Sequence, residues 1–153
     1  MSVVSGIEEV SNNYNVIMRA VINSTREGLE DAAKLILDES LTLTPQDTGN
    51  LKASAYYITD SDYTRSTPTF SNKRSDAAIL LGNYKETLVF NQALLKRSTS
   101  PVAIICYSAY YASIIHENNK NYTVGQWKFL ETALKNNLAV ITRKVGDGVR
   151  EGL

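Results

Sequence analysis

The residues best suited to proton transfer in this sequence are His116 and Glu117, which are adjacent. His116 is the single histidine of the 153 residues. A zinc protease of the H-E-x-x-H type needs a second histidine beyond the glutamate, and a serine hydrolase needs a G-x-S-x-G turn. Neither motif occurs. We therefore expect a packed or hydrogen-bonded histidine and no enzymatic activity, with a small hydrolase that uses His116 as the alternative.

Paired carboxylates at Glu30-Asp31 and Asp38-Glu39 are the residues that could bind a divalent cation. A cation site also needs ligands that converge from elsewhere in the fold, and the sequence identifies none. The single cysteine, Cys106, lies in the apolar run that begins at Val102, where a cysteine is usually a small buried hydrophobe. We predict no metal and no cofactor, and a solvated acidic helix face at these carboxylates.

Nine tyrosines, including the pairs Tyr56-Tyr57 and Tyr110-Tyr111, offer two further kinds of contact. Aromatic rings interleaved with basic residues can stack on single-stranded bases. Tyrosine is also favoured at protein–protein contacts. Within a strand, adjacent side chains point to opposite faces, so one of each pair is expected in the core and the other at a rim or interface. We favour the protein interface.

The charges balance overall but are unevenly distributed. Sixteen basic and sixteen acidic residues give a formal net charge of zero, which argues against a dedicated nucleic-acid binder. Residues 1–50 carry eight acids and three bases, whereas residues 51–153 carry eight acids and thirteen bases. This asymmetry suits an acidic element that meets a basic surface, for instance on another copy, or else a solvated acidic face.

Hydrophobic periodicity predicts the elements that must position these residues. A long helix ends near Leu41 before Pro45, a helical turn follows through Lys52, and strands are predicted over 55–59, 77–81, 87–90 and 102–107. Ser108 is expected to cap a helix over 109–117, and a closing helix begins near Phe129 and ends at Gly146 and Gly148. We predict one α+β domain over 1–153, with a long N-terminal helix, a mainly antiparallel sheet of three to four strands and C-terminal helices on one face. A disordered segment about 1–10, a long loop 60–76 and a frayed C-terminal tail complete it.

Three segments in order carry a resemblance. The run Pro45-x-Asp47-Thr48-Gly49-x-Leu51-x-x-Ser54 follows the long helix, Tyr111-Ala112 leads to His116-Glu117, and Phe129-Leu130-x-x-Ala133-Leu134 opens the closing helix. Together they resemble the motifs of the tailed-phage neck family, whose members are the tail-completion, head–tail joining or minor-capsid proteins. Many members carry Gly-Thr soon after the glutamate, where this chain has Asn118-Asn119-Lys120.

The resemblance implies a structural virion protein that forms a homo-oligomeric ring, hexameric or dodecameric, in the neck. Its partners would be itself, a head-side connector or stopper protein, and a tail tube or tail terminator, with DNA passing transiently through the channel. It would occupy the virion, and the host cytoplasm during assembly. A tail terminator or adaptor ring is the alternative, and a nucleic-acid-binding module that uses tyrosine stacking is less favoured. The N-terminus lacks a signal-peptide pattern, and no apolar run is long enough to span a bilayer, so no membrane partner is expected.

Two groups of candidate residues follow from these motifs and charges. The structural-motif residues are Pro45, Thr48, Gly49, Leu51, Ser54, Tyr111, Ala112, His116, Glu117, Phe129 and Leu130. The candidate interface or lumen residues are Glu27, Glu30, Asp31, Asp38, Tyr56, Tyr57, Tyr63, Arg65, Lys73 and Arg74. In the first group proline is expected to end the helix, glycine to permit a tight approach and leucine to anchor the turn. We expect Gly49→Val to impair ring assembly without abolishing the fold.

Overall fold

The structure, a computed structural model, describes residues 3–153, and their side chains from residue 9 onward. The elements in chain order are α1 (Val3–Leu43), α2 (Asn50–Ala53), β1 (Ala55–Thr59), α3 (Ala77–Arg97), β2 (Ala103–Tyr107), α4 (Ala112–Glu117), α5 (Phe129–Asn136) and α6 (Leu138–Glu151). None of these helices combines the length and apolar character that a bilayer crossing requires.

The long helix α1 consists of two parts with different surroundings. From Gly28 onward, Ala32, Ala33, Ile36 and Leu37 form a buried stripe at helical spacing. Residues 9–20, in contrast, are exposed all round. The helix also runs through 3–10, which the sequence assigned to a disordered segment, whereas residues 1–2 lie outside the described residues. One half of α1 is therefore a packed layer of the domain, and the other half extends beyond it.

The sheet has two antiparallel strands, β1 and β2, with Tyr56 paired to Cys106 and Ile58 to Ile104. Those four side chains share the face that packs on α3, through Tyr84 and Leu95. The opposite face carries Tyr107, which meets α1 and α5. The C-terminal helix α5 lies on the Tyr107 face, as α1 does, whereas α3 covers the other face, so helices lie on both faces of the sheet.

Residues 77–97 form helix α3, so the strands predicted over 77–81 and 87–90 are wrong and the sheet has two strands rather than three or four. The run Ala77 to Leu81 is apolar enough to resemble a short buried strand. Its wider context is helical, because the side chains turned inward recur at intervals of three and four residues. These are Leu80, Tyr84, Leu88, Asn91 and Leu95.

The closing helix is interrupted at Asn137, where the φ angle is −106°. The Asn137 amide donates to the carbonyl of Ala133 at 2.8 Å and to the Glu39 carboxylate on α1. A side chain that bonds to nearby main chain in this way competes with helix continuation. The second part, α6, continues through Gly146 and Gly148 to Glu151, instead of ending at those glycines.

Glycines on α6 let its backbone touch that of α1. A Cβ at Gly148 would collide with the Ser24 carbonyl, and one at Gly152 with the Val21 backbone. A Cβ at Gly28 would lie 2.7 Å from the Lys144 carbonyl oxygen. Positions rise along α6 as they fall along α1, so the two helices are antiparallel. The C-terminal segment is therefore a packed element rather than a frayed tail.

Segment 60–76, predicted as a long loop, has no helix or strand, and several side chains hold its main chain. The Tyr84 hydroxyl donates to the Ser66 carbonyl at 3.2 Å, and the Gln92 amide donates to the Tyr63 carbonyl at 2.8 Å. Phe70 packs against both hydrophobic clusters. The segment thus follows the surface formed by α3 and the sheet.

The close approach of α1 and α6 predicts opposite effects for two neighbouring glycines. Gly148→Ala should lower the free energy of unfolding by about 1–3 kcal/mol, because the new methyl group meets the α1 backbone. Gly146→Ala is the matched control, since its Cβ meets only the Arg150 guanidinium at 4.0 Å. That change should stabilise the helix by about 0.5–1 kcal/mol. Urea unfolding measures the free energy of unfolding of both variants. Equal changes in the two variants would contradict the close packing of α6 against α1.

Candidate functional site

The three motif segments meet in one hydrophobic cluster. Leu51, Ala112 and Phe129, one from each segment, are buried there together with Leu80 and Ala109. The partly buried side chains that pack against the cluster include Tyr111 and Leu130. Segments up to about eighty residues apart in the sequence therefore form a single packed unit, and the leucine anchors its turn as predicted.

The first motif ends α1 and reverses the chain. Pro45 is buried directly after the helix. Thr48 Oγ1 accepts a hydrogen bond from the main-chain N–H of Asn50 at 3.3 Å. Gly49 has a φ of +84°, with no atom within 4 Å of a Cβ built on it. It is needed for its left-handed backbone, so the expectation of a tight approach at Gly49 is wrong.

The close approach occurs instead at Gly125, in the loop before α5. Its φ is +80°, and a Cβ there would lie 2.5 Å from Pro45 N and Thr44 C. The next amide, of Gln126, donates to the Leu43 carbonyl at 2.8 Å. This loop therefore satisfies one of the carbonyls left unpaired at the end of α1.

Asn50 attaches segment 60–76 to the first motif. Its amide nitrogen donates to the Ser71 carbonyl at 2.8 Å, and its amide oxygen accepts from the Ser71 N–H at 2.7 Å. The side chain is buried. It pairs with Ser71 as a neighbouring strand would, and so positions the residues that lead to Arg74.

Ser54 and Tyr107 connect the motif to the sheet and to α1. The Ser54 hydroxyl donates to the Leu51 carbonyl at 2.7 Å, and the Ser108 hydroxyl donates to the Ser54 carbonyl at 3.1 Å. Ser108 therefore bonds across the sheet end rather than capping α4, which begins three residues later than the sequence predicted. Burial raises the pKa of the Tyr107 phenol, although bonds to Ser40 at 2.7 Å and Thr44 at 3.0 Å oppose the shift.

His116 is held on three sides. Its Nδ1 lies 2.6 Å from Glu117 Oε1, its Nε2 accepts from the Glu131 amide at 3.4 Å, and its ring meets Phe129 edge-on at 4.9 Å between centroids. Because Nε2 accepts this hydrogen bond, the neutral imidazole ring carries its proton on Nδ1. This is the geometry of a packed, hydrogen-bonded histidine, whose role here is to join α4 to the start of α5.

A chain of ion pairs lies beside it on the surface. Lys128 Nζ is 2.8 Å from Glu117 and 2.9 Å from Glu131, and Lys135 Nζ is 2.5 Å from Glu131. Hydrogen bonds from Lys135 and then Lys128 lower the pKa of Glu131 to about 2. Bonds from Lys128 and His116 likewise lower the pKa of Glu117. Because their pKa values are lowered, these carboxylates are weaker bases than ordinary glutamates.

A cleft of about 540 Å³ opens beside the cluster, between the first motif and the loop after α4. Tyr110, Tyr111 and Tyr122 line it, with Asp76 among the lining residues. Asp76 is buried, and its Oδ1 has no hydrogen-bond partner among the described residues. An unpaired carboxylate oxygen flanked by tyrosines suits a bound group that donates hydrogen bonds or carries positive charge.

The candidate interface residues do not form one surface. Glu27, Asp31 and Asp38 are exposed on the solvent face of α1, and Glu30 beside them is half-buried. Within the part of the chain that the structure describes, these four carboxylates make no ion pair. Lys34 is also exposed, between Asp31 and Asp38, so this side of α1 carries three exposed acids and one exposed base.

The remaining candidates belong to β1 and to segment 60–76. Tyr56 is buried against Tyr84 and donates to Thr87 Oγ1, so its assignment to an interface is wrong. Arg65 lies over the Tyr57 ring at 4.4 Å. Tyr63 and Lys73 are exposed, and Arg74 pairs with Asp47 at the cleft rim, with Nε 2.6 Å from the carboxylate.

Across residues 9–153, whose side chains the structure describes, no group of three or more His, Cys, Asp or Glu side chains could hold a metal ion. The class that this fold defines is a mixed helical domain built on a two-stranded antiparallel sheet. Comparison with protein-family models, with curated proteins and with solved structures finds no match to this chain.

The sequence reasoning missed Asn50, Asp76 and Gly125. Asn50 occupies the unspecified position of the T-G-x-L run, where nothing local requires an amide. Gly125 offers the one readable signal, because a glycine in a polar loop commonly has a positive φ. The residues that contact Asn50 and Gly125, and the tyrosines that line the cleft with Asp76, come from distant parts of the chain.

The two hydrogen bonds between the Asn50 side chain and the Ser71 main chain, called here the Asn50 clamp, predict a measurable loss of stability when Asn50 is replaced. Asn50→Asp keeps an acceptor for the Ser71 amide but places an oxygen against the Ser71 carbonyl. The free energy of unfolding should fall by about 1–3 kcal/mol, because a buried group loses its partner. Asn121→Asp, at an exposed cleft residue, should stay within about 0.5 kcal/mol of the parent. Chemical unfolding measures both variants. A difference of less than about 0.5 kcal/mol between their free energies of unfolding would contradict the pairing of Asn50 with Ser71.

The buried phenols predict a loss of stability at alkaline pH. The folded-state pKa of Tyr107 is raised above its unfolded value of about 10. Its contribution is complete below pH 10 and declines as pH rises towards the folded-state pKa, because the unfolded chain loses the proton first. Burial also raises the pKa of Tyr84 and Tyr111, so these residues share the decline.

Tyr107→Phe should lower the free energy of unfolding at pH 8 by about 1 kcal/mol, through the lost hydroxyl bonds. Between pH 9 and pH 11, the free energy of unfolding of Tyr107→Phe should decline less steeply than that of the parent. Tyr110→Phe, at an exposed ring, is the control. Urea titrations at each pH measure both quantities, and parallel curves for Tyr107→Phe and the parent would argue against the buried phenol.

Proposed function

We propose that this protein is a structural, non-catalytic component of a tailed-phage neck, which forms a homo-oligomeric ring between the DNA-filled head and the tail. The observation that carries the proposal is the packing of the three family-like segments into one unit around Leu51, Ala112 and Phe129. Residues that resemble a family motif for structural reasons are expected to contact one another in this way. A tail terminator or adaptor ring at the same junction is the alternative.

The surface of the domain supports a subunit that contacts neighbours on more than one side. A ring of identical subunits uses a head-to-tail interface, which requires two different surfaces on each copy. Val89, Phe90 and Leu94 are exposed apolar side chains on the outer side of α3. The first half of α1 carries a second exposed apolar set, which includes Tyr14 and Ile17. Exposed apolar side chains grouped on one element are typical of protein contacts.

The free carboxylates of α1 support passage of DNA rather than retention. Glu27, Asp31 and Asp38 project into solvent, and an acidic wall repels phosphates by the same electrostatics that make basic surfaces bind them. We assign this face of α1 to the channel. The tyrosine-lined cleft, with its unpaired Asp76 oxygen, we assign to contact with an adjoining neck protein.

Use of the tyrosines for base stacking receives less support. Tyr56, Tyr84 and Tyr107 use their rings inside the domain, in edge-on contacts with other aromatic rings. Tyr57 is covered by Arg65. Tyr110, Tyr111 and Tyr122 line the cleft with the basic residues Arg74 and Lys120. Arg74 is already paired with Asp47 there, so one of the two bases is not free to bind a phosphate.

The joining role is tested by electron microscopy and mass analysis of the purified protein, alone and with tail tubes of the same phage. Rings of uniform diameter, or caps on the tube ends, are the expected result. If the protein binds neither to tail tubes nor to DNA-filled heads, the proposal is overturned.

Gly49→Val refines this test. Valine at a φ of +84° is strained, by about 1–2 kcal/mol, and should displace the loop that borders the cleft. Circular dichroism should report an intact fold, whereas caps on tubes should be lost. Gly82→Val is the control, because its Cβ also meets no atom within 4 Å but its backbone is helical. Normal caps formed by Gly49→Val would refute a role for this loop in assembly.

A further inference from the structure

Four charged side chains line the tyrosine-lined cleft, and three of them have partners within the chain. Arg74 donates to the Asp47 carboxylate with both Nε and Nη2, so its guanidinium is engaged at the rim. Lys120 lies over the Tyr122 ring, with Nζ 5.8 Å from the ring centroid. Asp76 is the fourth, and no donor among the described residues bonds to its Oδ1. The cleft therefore leaves one carboxylate without a partner.

The start of α3 fixes Asp76 in this position. Asp76 directly precedes the helix, its main-chain carbonyl accepts from the Leu80 N–H at 3.0 Å, and only 7% of the residue is exposed. Its side chain makes no capping bond to the first turn of α3. A buried polar group without a hydrogen-bond partner costs free energy. A bound group that brings donors and positive charge would remove that cost.

Aromatic rings line the same cleft. Burial raises the pKa of the Tyr111 phenol, and the nearby charge of Asp76 raises it further. Tyr110 meets Tyr111 edge-on at 5.0 Å between centroids and is 57% exposed. The face of Tyr122 already holds the Lys120 ammonium, which is the contact that an aromatic face makes with a cation. The cleft thus combines a buried carboxylate with rings that favour a positive charge.

We propose that this cleft binds the guanidinium group of an arginine side chain presented by the adjoining neck protein. A guanidinium is planar, donates through five N–H groups, stacks on aromatic rings and is less strongly hydrated than an ammonium. It therefore suits a carboxylate flanked by tyrosines better than lysine does. The inference rests on the proposed function for the identity of the partner, since it names the group that fills the cleft assigned there to a neck contact.

The size and the border of the cleft fit such an anchor. Its volume of about 540 Å³ leaves room for the residues on either side of the arginine. Exposed apolar side chains border it, with Val124 in the lining and Ile114 one helical turn beyond Tyr110. An arginine in a pocket, surrounded by contacts that exclude water, is typical of the residues that dominate a protein interface.

The test titrates the isotope-labelled full chain with N-acetyl-arginine methylamide and follows backbone amide signals by NMR. The citrulline analogue has the same shape without the charge, and the lysine analogue has the charge without the planar group. The arginine probe should shift the signals of Gly49, Tyr111 and Thr123 and bind at least tenfold more tightly than the citrulline probe. Absence of these shifts would overturn the site. A lysine probe that binds as tightly as the arginine probe would overturn the assignment to a guanidinium.

Asp76→Asn removes the charge and keeps the size of the side chain. Asparagine precedes helices as favourably as aspartate, so the variant should fold, and its affinity for the arginine probe should fall at least tenfold. Asp31→Asn is the matched control, because Asp31 is an exposed carboxylate of α1 outside the cleft. It should bind the probe as the parent does. Equal affinities of the two variants would overturn the role of Asp76.

Tyr110→Leu tests the aromatic wall. The ring is exposed, so the fold should be retained, and the affinity for the arginine probe should fall by about threefold through the lost contact with the cation. Unchanged affinity would overturn that contact.

Failure of the cleft and failure of the neck role give different results. Caps on tail tubes formed by a protein that does not bind the arginine probe would overturn the cleft assignment alone. Binding of the probe by a protein that binds neither tail tubes nor heads would overturn the neck role alone.

Discussion

The contact on which the rest of this fold depends is the antiparallel packing of α6 along α1. Gly148 and Gly152 bring the two backbones together where any side chain would collide. Because α6 is held there, its start at Asn137 lies beside Glu39, and both Asn136 and Asn137 donate to that carboxylate. These bonds lower the pKa of Glu39. Helix α5, and with it Phe129, is thereby fixed over the end of α1.

A second constraint is the shared use of the end of α1 by distant segments. Tyr107 from the sheet bonds to Ser40 and Thr44, while Gln126 bonds to the carbonyl of Leu43. The Tyr107 and Phe129 rings meet edge-on at 5.0 Å between centroids. The motif segments that look separate in the sequence are therefore parts of one structural joint. This explains why they contain helix breakers, small residues and aromatics.

The two halves of α1 expose different kinds of side chain. The packed half of α1 exposes carboxylates without ion-pair partners among the described residues, whereas the extended half exposes apolar side chains at heptad spacing. The first arrangement repels nucleic-acid phosphates and the second favours association with other helices.

Local pattern was sufficient for part of this protein. The apolar stripe of α1, the helix end before Pro45, the turn at Asn50–Ala53 and strand β1 follow from spacing and residue type, and the predicted strand at 102–107 is confirmed as β2 over Ala103–Tyr107. Packed histidine geometry at His116 was likewise predicted from the absence of partner motifs. The run from Ala77 to Leu81 was misread because five apolar residues fit a strand or a helix equally well, and only the stripe continuing to Leu95 separates the two.

By itself, then, the sequence determined the end of α1 before Pro45, the turn at Asn50–Ala53 and the two strands, because backbone preference and hydrophobic period are local properties. Only the tertiary structure decided that α6 touches α1 through glycines, that Asn50 clamps Ser71, and that Asp76 is buried beside a tyrosine-lined cleft. Each of these contacts joins residues 20 or more positions apart. Their energies depend on the packing of the whole chain, which no local pattern encodes.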